Sequence, residues 1–473
     1  MEPGRRPLRR VTSVCVGRNI LSAIPNPSTN PAFIDPVADP VALTQQLVRF
    51  DTSNPPGNEA EAIQHIKALL DAAGIQSQTF AKSPNRPNLI ARLPGDGSAP
   101  PLLLQGHVDV VPADPSQWQQ PPFSGNIVDG YLWGRGTLDM KGGIATMVSA
   151  LIQAKSNGLT PAGDIVLALV CDEEAGGHHG ARYLVEEHAE EFEGVQYAIG
   201  EFGGFSFNIG SRRFYPIMVA EKQVCHIRVT FRGPGGHASL GQQDNPVHAM
   251  TRFLQGIQSR QLPTHVTPET MIMLRAIGRN LPPLSRMVMK ALLTPGLTAP
   301  TLKLLGSKGR TFSPLFRNTA NPTVIRGGGQ INVVPSEVSV DLDGRILPTL
   351  APEVLISELT AAAGADSGAE FEVLSHDPGP EQPDMGLFET LAGVLKESDP
   401  DGIPVPMLMP AATDGRLFAR LGIQTYGFLP MRLPADLDFA STIHGPNERV
   451  TVEAIRFGAD AFYRLLQSYG RTP

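Results

Sequence analysis

The sequence predicts an α/β fold built on a sheet that is covered on both faces. Strongly apolar segments such as LLLQG (102–106) and IVLALVC (165–171) alternate with segments of helical spacing such as GGIATMVSALIQAKSNG (142–158). Continuous apolar strands separated by helices are typical of a buried, mostly parallel sheet. Hydrophobic residues make up 41% of the 473 residues, which suffices for large cores, and the length favours two domains.

A second, smaller domain is predicted at 217–378. In VCHIRVTFRG (224–233) and EVSVDLDGRI (337–346), apolar and polar residues alternate. This period of two indicates strands with one face in solvent, as in an antiparallel sheet backed by helices. The α/β pattern then resumes, so we expect the second domain to interrupt a main domain comprising 38–216 and 379–473.

Composition excludes several classes of protein. A net charge of −7 argues against a nucleic-acid partner, which would require a basic surface. Three cysteines without CxxC spacing argue against a disulfide framework and a thiolate metal site, and favour a cytoplasmic location. No segment has the ~18 consecutive apolar residues of a membrane span, so stable membrane insertion is not expected. Residues 1–37, rich in Pro and Arg, are expected to be a disordered basic leader rather than a signal peptide.

Residues 258–325 form an unusual stretch rich in Leu, Met, Pro, Lys and Arg, in which Glu269 is the only acidic residue. The sequence allows two interpretations. The residues could form a helical excursion, that is, inserted helices that pack on the second domain, or they could form a membrane-binding patch. The helical excursion is favoured.

Residue types that bind metals follow several predicted strands at the point where each strand ends. The carboxyl ends of parallel strands meet at one edge of a sheet, where ligands collect. Taken singly, each residue has an ordinary explanation, such as helix capping for Asp139. Together they would repel one another and lose solvation unless a cation neutralised them. The residues are His107 and Asp109, Asp139, Asp172, Glu173 and Glu174, Glu201, and His444 in a later loop.

The donor types in this set indicate which metal it would bind. Two imidazoles among the carboxylates favour zinc over magnesium or calcium. Two His together with only three of these carboxylates already exceed the three protein ligands of a usual catalytic zinc. Such a set suits two metals about 3.5–4 Å apart that share a bridging carboxylate.

Six motifs in fixed order extend this interpretation. The motifs GHVDVVP, WGRGTLDMKGG, DEEAGG, the strand end at Glu201, GPGGHAS and HGPNE resemble those of the zinc-dependent aminoacylase, acetylornithine deacetylase, succinyl-diaminopimelate desuccinylase and carboxypeptidase family of metallohydrolases. The resemblance covers the chain from about residue 40. The long insertion and NTANPTVIRGG resemble the carboxypeptidase S-like branch. The fold implied is a zinc aminopeptidase-like catalytic domain with an inserted α+β lid or dimerisation domain, which leaves monomer and homodimer both open.

The resemblance also implies a ligand set. His107 and Glu201 would hold one Zn²⁺, and Glu174 and His444 would hold the other. Asp139 would bridge the two ions, and Co²⁺ or Mn²⁺ can substitute for zinc in such sites.

Further roles are implied for residues around the metals. Glu173 matches the general base, and Asp109 matches the carboxylate that orients the zinc-binding imidazole before it. His237 in GPGGHAS matches the donor that stabilises the oxyanion. Because His237 lies in the inserted domain, closure of that domain or a partner subunit would have to bring it to the metals.

The implied activity is hydrolysis of an amide bond in a peptide or N-acyl amino acid that carries a free carboxylate. Asn332 and Arg345 match substrate-recognition positions, and Arg is suited to bidentate carboxylate binding. For Arg345 a salt bridge to Asp343 is an equally good explanation. A non-catalytic scaffold is disfavoured because every expected ligand is present, and a serine hydrolase because no GxSxG motif lies at a strand-to-helix turn.

Overall fold

The computed structural model describes residues 39–241, 244–364, 367–379, 383–437 and 439–471. The expected leader at 1–37 lies outside these ranges. Within them the helices are α1 (Pro40–Arg49), α2 (Ala60–Ala72), α3 (Lys141–Ser156), α4 (Ala181–Glu187), α5 (Pro246–Ser259), α6 (Pro268–Arg279), α7 (Pro283–Leu292), α8 (Thr298–Leu304), α9 (Ser307–Phe312), α10 (Pro352–Ala363), α11 (Phe388–Ser398), α12 (Gly415–Phe418), α13 (Phe439–Thr442) and α14 (Val452–Ser468).

The strands of the described residues fall into four sheets. They are β1 (Gln76–Ser83), β2 (Arg86–Leu93), β3 (Leu102–His107), β4 (Ile127–Val128), β5 (Tyr131–Trp133), β6 (Ile165–Val170), β7 (Tyr197–Gly200), β8 (Phe207–Ile209), β9 (Arg212–Glu221), β10 (Gln223–Arg232), β11 (Gly236–His237), β12 (Thr319–Gly327), β13 (Val333–Val334), β14 (Glu337–Ile346), β15 (Ala369–Asp377), β16 (Ile403–Met409), β17 (Gln424–Gly427) and β18 (Arg449–Thr451).

The large sheet confirms the predicted α/β class. Its order is β1-β2-β6-β3-β7-β17-β9-β16, with β8 beside β9. The central strands β6, β3, β7 and β17 run parallel to one another, and every residue of β3 and β6 is buried. Helices α1, α2, α3 and α14 cover one face, whereas α4 and α12 cover the other. Burial on both faces explains why these strands are continuously apolar in the sequence.

The small sheet has the order β12-β14-β10-β15 and is antiparallel throughout. The predicted alternation on β10 and β14 is confirmed, because the apolar positions are buried beneath α5 and α10. The polar positions face outward and form ion pairs such as Arg228–Asp341, at 2.8 Å. Strand β9 of the large sheet ends at Glu221, and strand β10 of the small sheet begins at Gln223. The change of sheet thus lies a few residues after the expected boundary at residue 217.

The stretch at 258–325 is largely helical, as expected, but its packing differs from the prediction. Helices α6 to α8 bury Leu274, Ile277, Leu292 and Leu302 in one cluster with Val405 of β16. The excursion therefore packs on the outer strand of the large sheet, rather than on the small sheet alone. No helix in the described part of the chain combines the length and apolarity that a bilayer span requires.

Candidate metal centre

The predicted ligand residues converge at one edge of the large sheet. Strands β6, β3 and β7 are parallel neighbours, so their carboxyl ends point the same way. His107 is the last residue of β3. Glu173 and Glu174 lie in the turn after β6, and Glu201 directly follows β7. Adjacent strand ends thus place an imidazole and three carboxylates side by side.

Asp139 lies between two imidazoles, one from each side. Its Oδ1 is 3.0 Å from Nε2 of His107, and its Oδ2 is 3.2 Å from Nε2 of His444. Nε2 of His107 also lies 3.3 Å from Oε2 of Glu201, and Nε2 of His444 lies 3.3 Å from Oε1 of Glu174. One carboxylate therefore joins two imidazole–carboxylate pairs, in each of which the nitrogen and oxygen atoms are 3.3 Å apart.

The electrostatics of this cluster favour a bound cation. Hydrogen bonds to Asp139 and Glu174 raise the pKa of His444 to about 10. Burial, reinforced by the charge of Asp139, raises the pKa of Glu201 to about 8 although His107 opposes the shift. Oε1 of Glu174 is buried, and Nε2 of His444 faces it at 3.3 Å. The donor set, two imidazole nitrogens and three buried carboxylates, fits divalent metal ions of the zinc type.

Small residues and special backbone conformations bring the ligands together. A Cβ added to Gly106 would lie 2.6 Å from Cε of Met140, so glycine lets β3 approach the loop that carries Asp139. After β6, Asp172 adopts a left-handed conformation with φ of 70°. Gly176, with φ of 103°, then closes the turn that presents Glu173 and Glu174.

Asp109 lies beside His107, as expected, and makes further contacts with the turn after β6. Nδ1 of His107 lies 2.9 Å from the backbone carbonyl of Asp109, and the carboxylate is farther away, at 3.6 Å. The carboxylate also accepts the backbone N–H groups of Glu173 and Glu174, both at 3.2 Å, and the Asn54 amide at 2.8 Å. Asp109 therefore contacts the imidazole through both its main chain and its side chain, and its side chain also holds the turn after β6.

A comparison with known proteins assigns this arrangement to a family. The model of peptidase family M20/M25/M40 matches residues 103–468. The protein belongs to peptidase family M20/M25/M40. The family resemblance predicted from the motifs is thereby confirmed.

Individual M20 relatives and structures agree with this assignment. The chain is 28% identical over 388 residues to probable carboxypeptidase S-like 2 of Dictyostelium discoideum, which covers 79% of this chain and 72% of the relative. It is 28% identical over 384 residues to the N-fatty-acyl-amino acid synthase/hydrolase PM20D1 of Homo sapiens, covering 79% and 75%. The crystal structure of the M20 family metallo-carboxypeptidase Sso-CP2 from Sulfolobus solfataricus shares the fold, with a TM-score of 0.67 at 18% identity over 92% of this chain and 99% of that chain.

Membership of the M20 family fixes the class of reaction. The protein is a metal-dependent hydrolase that acts on amide bonds. Within the described residues, two groups have ligand atoms within 4.8 Å of one another and could hold a metal ion: His107 with Asp139 and Glu174, and His107 with Glu173 and Glu201.

One buried residue of the M20 site was missed by sequence reasoning. Glu448 ends the HGPNE motif and is fully buried. Its carboxylate accepts hydrogen bonds from Nη1 of Arg135 at 2.6 Å and from the backbone N–H groups of Gly136, Leu138 and Asp139 at 2.8–3.2 Å. Glu448 therefore fixes the loop that presents Asp139. Its position in the His444 motif was the available signal.

Arg416 is a second residue that sequence reasoning missed. It is buried, and its Nη1 lies 3.9 Å from Oε1 of Glu173. Burial and the negative charges of Glu201 and Asp414 raise the pKa of Glu173 well above its usual value. The guanidinium of Arg416 faces Glu173 from the side of α12, and its Nε lies 3.5 Å from Asp377.

The three remaining predicted residues lie on the small sheet or its loops. His237 and Asn332 are neighbours, because the β11–β13 ladder pairs His237 with Val333. His237 is exposed, and its Nδ1 lies 2.8 Å from Oγ of Ser239. Arg345 forms a salt bridge to Asp343, at 3.0 Å, as one of its two interpretations predicts. None of the three has a hydrogen bond or ion pair to the ligand cluster among the described contacts, and their roles stay predictions.

Replacing Glu448 by Gln is expected to weaken metal binding by about 10–100-fold, as loss of partners that orient ligands usually does. The amide cannot accept all four hydrogen bonds, and it leaves the charge of Arg135 without its partner. Zinc titration against a chelator of known affinity measures the effect. Glu453→Gln, an exposed carboxylate on α14, is the matched control and should bind zinc like the wild type. Unchanged zinc affinity in Glu448→Gln would contradict this role.

Zinc affinity is expected to rise between pH 6 and pH 8. Below pH 8 the metal must displace protons from His444, whose pKa is raised to about 10, and from Glu201, whose pKa is raised to about 8. Each displaced proton makes the affinity increase about tenfold per pH unit. Competition titrations at several pH values, corrected for protonation of the chelator, measure the slope. An affinity that does not change with pH would contradict the role of these side chains as ligands.

Proposed function

We propose that the protein is a two-zinc amidohydrolase that releases an amino acid from a peptide or N-acyl amino acid bearing a free carboxylate and an apolar group. The observation that carries the proposal is the position of Asp139, with one carboxylate oxygen near each imidazole. A carboxylate shared in this way suits a bridge between two ions.

The proposed ligand set follows the two imidazole–carboxylate pairs. His107 and Glu201 would hold one ion, His444 and Glu174 the other, and Asp139 would bridge them. Divalent ions held there supply the Lewis acidity that polarises an amide carbonyl and lowers the pKa of water to about 7. Zinc is proposed because of the imidazoles, and Co²⁺ or Mn²⁺ are the expected substitutes.

Glu173 is proposed to move the proton in the reaction. One of its carboxylate oxygens lies within 4.8 Å of ligand atoms of both His107 and Glu201. Burial raises the pKa of Glu173, which would make it a stronger base toward the attacking water once the positive charge of bound metals keeps it ionised. The same group then donates that proton to the departing amine nitrogen. Because Asp109 holds the backbone of Glu173, the carboxylate stays directed at the cluster.

An apolar cavity of about 590 Å³ supports the proposed type of substrate. A small pocket of about 10 Å³ that is lined by Asp139 and Glu201 shares Phe202, Phe205, Phe439 and Ile443 with it, so the apolar cavity lies beside the ligand cluster. Phe205 and Phe439 stack in its wall with ring centroids 4.2 Å apart. A fatty acyl chain or a large apolar side chain fits this space, in keeping with the acyl substrate named for PM20D1. The large cavity is lined mainly by Phe202, Phe205, Phe207, Met407, Met409, Leu437, Phe439 and Ile443.

The small sheet is proposed to act as a lid that completes the site. His237 would stabilise the oxyanion, and Asn332 and Arg345 would bind the free carboxylate of the substrate. Their location outside the cluster supports closure of the lid or a contribution from a second subunit. The exposed outer strand β12, with Val324 and Ile325 on its surface, supports a homodimer that pairs through this sheet. Two buried free cysteines, Cys171 and Cys225, support a cytoplasmic location.

Replacing Glu173 by Gln is expected to lower kcat by about 100-fold or more while both metals stay bound. Gln keeps the size of the side chain but cannot accept the proton. Hydrolysis of a panel of dipeptides and N-acyl amino acids by the zinc-loaded protein, with metal analysis of the same samples, measures the effect.

Glu187→Gln, an exposed carboxylate on α4, is the matched control and should keep wild-type activity. Full activity in Glu173→Gln would show that another group moves the proton. Loss of metal together with loss of activity would instead assign Glu173 to the ligand set.

Longer apolar acyl chains are expected to lower KM by about fourfold for each methylene group until the cavity is filled, since each buried CH₂ contributes about 0.8 kcal/mol. Ala411→Trp places a large side chain in the wall of the cavity and should raise KM for long-chain substrates only. The acetyl substrate is the internal control. A KM that does not depend on chain length would show that the cavity does not receive the acyl group.

A further inference from the structure

The helical excursion concentrates positive charge in an acidic protein. Residues 258–325 contain nine Lys and Arg and a single acidic residue, Glu269, in a chain of net charge −7. The carboxylate of Glu269 is buried, so the charged side chains that this stretch exposes are all cationic. Within the described residues, the seven Lys and Arg of α6 to α9 form no ion pair with a carboxylate. They are Arg275, Arg279, Arg286, Lys290, Lys303, Lys308 and Arg310.

Large apolar side chains project from the same helices. Leu284 and Met287 on α7 are 75% and 68% exposed, and Leu304 on α8 is 87% exposed. Leu284 and Met287 are three residues apart, so they lie on one side of α7. Of the residues in α7, only Leu292 is buried. Exposed apolar groups of this size on a folded surface mark a site of interaction.

A groove between α6 and α7 brings four of the cations together. Its volume is about 430 Å³, and no acidic side chain lines it. Nε of Arg286 donates to the carbonyl of Gly278, at 3.1 Å, which ties the end of α6 to α7. These exposed like charges give the groove a positive potential, which favours an anion there. The cationic side chains that line the groove are Arg275, Arg279, Arg286 and Lys290.

We propose that α6, α7 and α8 form a docking surface for an anionic lipid bilayer. Lipid phosphates would occupy the groove between α6 and α7, and Leu284, Met287 and Leu304 would enter the boundary between headgroups and acyl chains. Cations together with exposed apolar side chains favour a bilayer over nucleic acid. A nucleic acid would bind the cations, but it offers no apolar region into which three exposed apolar side chains could insert. The docking surface goes beyond the proposed hydrolysis and does not depend on it.

The test is binding of the full, zinc-loaded chain to vesicles by co-sedimentation. Vesicles of phosphatidylcholine with about 30% phosphatidylglycerol are compared with vesicles of phosphatidylcholine alone. Wild type is expected to bind the anionic vesicles about 10-fold or more tightly than the neutral ones, and to release them as salt is raised. Leu284→Ser/Met287→Ser and Arg279→Glu/Lys290→Glu are each expected to weaken that binding about 10-fold or more.

Matched double variants elsewhere on the surface serve as controls. Val373→Ser/Leu374→Ser removes exposed apolar side chains on β15, and Lys155→Glu/Arg456→Glu reverses exposed charges on α3 and α14. Both should bind anionic vesicles like the wild type. Hydrolysis of a soluble substrate, or the urea unfolding midpoint if none is cleaved, shows that each variant is folded.

Three outcomes would overturn the proposal. The first is that wild type binds neither kind of vesicle, and the second is that binding survives both excursion variants, which would place it elsewhere on the chain. The third is that only the charge reversal weakens binding and the apolar variant binds like the wild type. That result would indicate a surface for soluble polyanions, which a parallel titration with single-stranded DNA would reveal.

Discussion

The metal centre depends on one contact, in which the buried carboxylate of Asp139 lies between the imidazoles of His107 and His444. A carboxylate in this position, close to Glu174 and Glu201, carries a large cost of desolvation and repulsion. Much of the surrounding structure serves to keep it there. The parallel order of β6, β3 and β7 supplies the neighbouring groups, Gly106 allows the close approach, and Glu448 ties down the loop. Positive charge held between these groups offsets that cost.

The sequence predicts the residues at strand ends well because their placement follows from topology. Consecutive apolar strands joined by helices run parallel, so His107 and Glu201 must reach the same edge of the sheet. Period-two alternation identifies β10 and β14 for a similar reason, since burial of one face determines the pattern. In both cases a local pattern carries the information that the fold requires.

Other features depend on contacts between segments far apart in the chain, which no local pattern records. In the sequence, Glu448 looks like an ordinary loop residue, and only the structure shows that it pairs with Arg135. In the sequence, Arg416 looks like an ordinary helix residue, and only the structure shows that α12 lies beside Glu173. The excursion at 258–325 was expected to pack on the second domain, but its apolar face matches β16, a strand that follows much later in the sequence. The same excursion leaves cations and large apolar side chains exposed on its outer surface, which gives this M20 member a surface separate from the metal centre.

The most direct test of the account is the metal content of Asp139→Asn compared with wild type, measured by mass spectrometry after dialysis against zinc. The account predicts close to two ions per wild-type chain and fewer than one in the variant, because both proposed ions share this carboxylate. Urea unfolding of both proteins shows whether the fold is retained. Two ions in a folded Asp139→Asn variant would contradict the bridging role, and a wild type that binds no metal would contradict the account as a whole.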